Sequence, residues 1–147
     1  MKNIFLLVLL ILQISSASAQ KITCADSLKV FYTKYLTYDV GTEYIERQKS
    51  LVSSCSTKDF YNAWYEDVHE VGLYDPLTSG GGATPDDLDF VRKNLSVMKE
   101  KDYYVVLFSF HGWQGDINKI VVNVYVDAEG KISKTKRPSD GYMTPGL

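Results

Sequence analysis

The sequence predicts an α+β domain in which three N-terminal helices pack on a curved four-stranded antiparallel meander, with a short extra helix before the sheet. Two observations carry this. Residues 27–71 repeat their apolar positions at helical spacing, and the chain after Asn94 breaks into short β-branched and aromatic runs separated by turn residues. The strongest of those runs is Tyr103 to Phe110, Tyr-Tyr-Val-Val-Leu-Phe-Ser-Phe. Tyr104, Val106, Phe108 and Phe110 form one wholly apolar face that needs cover. Tyr103, Val105, Leu107 and Ser109 form a second face with a hydroxyl at each end, suited to less complete cover.

The chain opens with Lys2, an apolar stretch from Ile4 to Ile14 and an Ala-Ser-Ala ending at Ala19, the three parts of a secretory signal peptide. Residues 1–19 are therefore expected to be a leader, 20–136 one domain and 137–147 a loose tail. The alternatives are a retained anchor, for which the stretch is short, and lipid attachment at Cys24, which Ile22-Thr23 does not favour. An exported protein, periplasmic or secreted, is expected, with no membrane span after the leader is removed. The formal net charge of the full chain is −2. Removing Lys2 with the leader makes it more acidic, so no basic excess is present to hold nucleic acid or anionic lipid.

Asp26 is placed as the cap of a first helix, Ser27 to about Tyr38, with Leu28, Phe31, Tyr32, Tyr35 and Leu36 on its apolar side. Gly41 and Thr42 break and recap the chain, and Ile45, Gln48, Leu51, Val52 and Cys55 share one side of a second helix. The short connection makes the pair antiparallel. That geometry brings Cys24 and Cys55 to neighbouring helix ends, and an oxidising compartment would join them in a disulfide rather than leave free thiols. Ser56 or Thr57 caps a third helix with Phe60, Ala63, Trp64, Val68 and Val71 on its stripe, ending at Gly72. Residues 73–83 read as a long loop. Thr84-Pro85-Asp86-Asp87 then opens a short helix carried by Leu88 and Val91. Strands are expected at 94–99, 103–111, 119–127 and 131–136.

Chemistry is sparse. His69 and His111 are the acid-base candidates; the alternatives are a solvated histidine near a helix C-terminus and a strand-end surface residue. Gly80-Gly81-Gly82 lacks the lysine of a phosphate loop, and Asp86, Asp87 and Asp89 lack calcium-loop spacing, so neither cofactor nor metal is expected. Aromatic residues are the better signal. Tyr32, Tyr35, Trp64, Tyr103 and Tyr125 could line the less-covered sheet face, with core packing as the alternative. Trp113, between His111-Gly112 and Gln114-Gly115, could anchor a partner or fold over a cavity mouth.

On Phe31-Tyr32-x-x-Tyr35-Leu36, Phe60-x-x-x-Trp64, Tyr74-Asp75-Pro76 and Tyr103 to Phe110, the chain resembles the nuclear transport factor 2-like, or cystatin-like, cone folds. It resembles more closely the small exported bacterial domains of unknown function built that way. The resemblance implies a helix-lined conical cavity used for catalysis, ligand holding or dimerisation. It also implies an Asp-His pair, making Asp75 with His69 or His111 the guess, although Asp75 before Pro76 equally starts a turn. Three functions follow: a non-catalytic domain holding a small molecule or protein partner, placed first because aromatics abound; a cavity enzyme; and an inhibitor or immunity-type protein. A homodimer is compatible with each.

Overall fold

The computed structural model describes residues 22–36, 42–71, 75–78, 87–112 and 114–138. The leader, Gly80–Gly82, Trp113 and the tail beyond 138 lie outside them. The described fold is α+β: α1 (Cys24–Tyr35), α2 (Thr42–Cys55), α3 (Lys58–Tyr65), a π-helical turn (Glu66–Val71), α4 (Leu88–Lys93), then β1 (Ser96–Lys99), β2 (Tyr104–His111), β3 (Ile117–Val126) and β4 (Ile132–Lys136). The strands pair in sequence order as an open antiparallel meander. Among the described residues no helix is long and apolar enough to cross a membrane.

The first helix begins three residues earlier than its apolar spacing suggests. Thr23, not Asp26, is the cap: the Thr23 hydroxyl accepts from the Asp26 amide at 3.2 Å, and the Asp26 carboxylate accepts from the Thr23 amide at 3.0 Å. Both orphan donors are thus satisfied reciprocally. These bonds hold the exposed Asp26 carboxyl below its usual range. For α3 the cap is Thr57, whose hydroxyl accepts from the Phe60 amide, while its own amide donates to the Ile132 carbonyl at 2.8 Å. One residue therefore starts the helix and ties it to β4. Ser56 instead donates its hydroxyl to the Val52 carbonyl. After Tyr65 the third helix widens into the π turn, and Gly72, its expected end, lies outside the described residues.

A pit of about 240 Å³ is lined by Ser27, Leu28 and Phe31 of α1 and by Ser54 and Cys55 of α2. The far halves of the same helices meet around Tyr35 and Tyr44. The start of α1 therefore lies beside the end of α2, the antiparallel hairpin expected. Cys24 and Cys55 stand at those ends as half-buried free thiols.

Tyr104, Val106 and Phe108 of β2 and Ile120, Val122 and Val124 of β3 are buried, and they join Leu28, Phe31, Tyr32, Val52 and Trp64 in one core. The opposite face carries Val105, Leu107, Val121 and Tyr125, each only half-buried. The strand register is broken once. Ile132 pairs with Val126 and Lys134 with Tyr125, so two residues of β4 span one of β3. The extra residue, Ser133, turns Lys134 and Lys136 to the outward face while Ile132 stays in the core.

Candidate functional site

The aromatic residues proposed to share one sheet face separate into two groups. Tyr32, Tyr35 and Trp64 are fully buried among the helices. Tyr103 and Tyr125 lie across the outward face, ring centroids 5.4 Å apart. Strand alternation decides this, because residues 103 and 125 fall in the opposite phase to Tyr104 and Val124.

Among the helices the three buried rings organise a polar chain. The Trp64 indole N–H donates to the Tyr35 hydroxyl at 2.9 Å, and that hydroxyl donates to Asp75 Oδ2 at 2.8 Å. Asp75 also closes the turn its sequence suggested: Oδ1 accepts from the Leu77 amide at 2.9 Å, and its carbonyl accepts from the Thr78 amide. Burial raises its carboxyl above the usual range, and the hydrogen bonds from Leu77, Tyr35 and Thr78 offset part of that. Tyr32 OH and His69 Nε2 are buried beside this chain without a hydrogen-bond partner. An orphaned polar group costs about 1–3 kcal/mol, which burial of the Tyr32 ring offsets at comparable size.

His69 lies near the end of the π turn, half-buried against aromatic rings. Its ring meets Trp64 edge-on at 5.0 Å and lies 5.3 Å from Tyr65, and Lys49 sits over the Tyr65 ring. Burial, then the Lys49 cation, lower its basicity, with Asp75 and Glu46 opposing. His69 and Asp75 thus belong to one neighbourhood. His111 belongs to another.

The partner of His111 is Asp87, which sequence reading had assigned to a helix start. Asp87 stands at the N-cap position of α4 but makes no side-chain cap bond. Its carboxylate accepts instead from the His111 amide at 2.6 Å and meets His111 Nδ1 at 2.5 Å, with Phe90 packed 4.1 Å from the ring. Asp87 is buried while the His111 side chain is 46% exposed. A buried carboxylate thereby orients a half-exposed imidazole. No local signal reveals this pair, since 24 residues separate its members.

A cleft of about 440 Å³ opens between α1 and α2. Thr33, Lys34 and Tyr35 form one wall, Tyr44, Arg47, Gln48 and Leu51 the other, and Arg92 of α4 one end. The second wall is internally braced: Gln48, buried, donates to the Tyr44 hydroxyl at 2.7 Å. Arg47 is held by Glu43 at 2.8 Å and Arg92 by Asp89 at 3.6 Å, both exposed pairs. The lining contains three cations and no carboxylate. Tyr35 connects this cleft to the buried chain ending in Asp75.

This fold has a solved counterpart. The crystal structure of a protein of unknown function from Bacteroides thetaiotaomicron matches with a TM-score of 0.63 and 18% sequence identity, over 86% of this chain and 98% of that one. At that identity the arrangement of helices and sheet is what the two share. No protein-family model matches the sequence, and no curated protein matches it. Among the described residues no group of three or more His, Cys, Asp or Glu is placed to hold a metal ion.

Proposed function

We propose that this is an exported binding domain that holds a small organic anion in the cleft between α1 and α2. The supporting observation is the lining itself: Lys34, Arg47 and Arg92, the last two in exposed pairs with Glu43 and Asp89, surround the apolar surfaces of Tyr35, Tyr44 and Leu51. Its size suits one small molecule, and two guanidinium forks suit a carboxylate or phosphate. The leader pattern of residues 1–19 supports export. The order of three helices and a meander supports the cone-fold resemblance, with the opening displaced to the helix hairpin rather than the helix–sheet interior.

The test is calorimetric titration with aliphatic and aromatic carboxylates and phosphate monoesters, beside native mass spectrometry of protein from the culture fluid. Arg47→Ala with Arg92→Ala should weaken binding on the order of a hundredfold, two charged hydrogen bonds' worth. Saturable binding untouched by that pair would sink the assignment. A second reading is favoured by one observation, the Asp87–His111 pair, whose orientation suits proton transfer. Loss of a turnover in His111→Ala with ligand binding retained would favour it.

A further inference from the structure

The outward sheet face carries a second surface, independent of the cleft. Its strand positions in register are Met98, Val105, Asn123 and Lys136 in one row, Ser96, Leu107 and Val121 in the next, and Ser109 with Lys119 beyond. With Lys134, which pairs with Tyr125, these strand positions hold three lysines and no carboxylate. Tyr125 lies against Tyr103, and the Lys134 and Lys136 ammonium groups sit 5.9 and 5.8 Å from the centre of its ring. Two lysines two residues apart on one strand face repel each other. The ring's negative face offsets that repulsion and holds both charges at one spot.

That spot exists because of the bulge at Ser133. Without the additional residue, strict alternation from the buried Ile132 would send Lys134 and Lys136 toward the core side. Bulges recur where a side chain must be re-aimed for a task. Lys119 lies six residues from Tyr125 along β3, roughly 20 Å at the usual strand rise. The face is thus an elongated strip, positive at both ends, aromatic at one and apolar between. Face-on, the sheet offers only its side chains, so an occupant lying across it is recognised by rings and ammonium groups. An extended peptide gains most from backbone pairing at an edge; a pyranose chain needs only a ring to lie on and cations for its acid groups.

We propose that the outward face of β2, β3 and β4 binds an acidic polysaccharide, with sugar rings lying against Tyr103 and Tyr125 and the acid groups meeting Lys134, Lys136 and Lys119.

Affinity electrophoresis of the full chain through gels containing polygalacturonate, heparin or neutral dextran tests this, with phosphatidylglycerol vesicles in a parallel flotation assay. Retardation by either charged polymer but not by dextran, relieved by added salt, is expected. Polygalacturonate alone would assign carboxylates and heparin alone sulfates. Lys134→Glu with Lys136→Glu should reduce affinity on the order of tenfold or more. Tyr125→Ala should weaken binding and Tyr125→Phe should keep it, each with an unchanged melting temperature. Equal retardation by dextran, wild-type binding in the double lysine variant, or flotation with vesicles and no retardation by either polymer overturns the proposal.

Discussion

Replacing Tyr35 by Phe deletes one oxygen and leaves both the Trp64 indole and the Asp75 carboxylate short of a partner. A loss of about 1–3 kcal/mol in urea unfolding is expected, with altered Trp64 fluorescence. Two neighbouring groups give opposite pH slopes. Burial raises the native Asp75 carboxyl above its ordinary 3.8, so its contribution to stability is full below pH 3.8 and is lost as pH rises through the native value. His69 is depressed below 6.5, chiefly by burial, so its contribution is full above pH 6.5 and is lost as pH falls through the native value. Urea midpoints measured across this range should lose the first slope in Asp75→Asn and the second in His69→Gln. That Tyr32, Tyr35 and Trp64 matter was legible from their spacing; that a single hydroxyl joins two of them to Asp75, 40 residues away, was not.

At the scale of elements, caps decide where helices begin. Thr57→Ala removes the side-chain cap of α3, and the expected cost is about 1 kcal/mol by chemical denaturation. Asp87→Ala should act at a distance, freeing the His111 amide and ring at the end of β2. Hydrogen exchange at His111 should accelerate markedly while the amide of Val122, mid-sheet, stays protected. The four strands were readable because alternation and turn residues are local signals. The reassignment of Asp87 was not, because a residue at a helix start carries the same sequence signature whether its carboxylate caps that helix or reaches another element.

For the whole molecule, the class and the meander followed from periodicity alone, whereas the filling of an interior depends on side-chain volumes meeting across elements. Trp64, Tyr32, Phe108 and Val52 occupy the middle of the helix–sheet contact and leave the cleft to the hairpin's outer side. The two thiols give a global prediction. Cys24 lies 3.8 Å from where a Cβ on Gly130 would stand, and Cys55 lines the pit beside that same glycine. Oxidation should join α1's start to α2's end, consume both thiols in a colorimetric titration, and add about 3–4 kcal/mol for a loop of roughly 30 residues.

The widened turn at Glu66–Val71 has its own consequence for angular phase. In an ordinary helix, side chains three or four apart are neighbours, and Trp64 and His69, five apart, would diverge around the axis. A turn closed five residues on brings them back into line, which is why the imidazole can abut the indole and Tyr65 together. Excising Asp67 would restore common winding with Trp64 and His69 four apart, so the imidazole should keep its place against the indole without the extra residue of the wide turn.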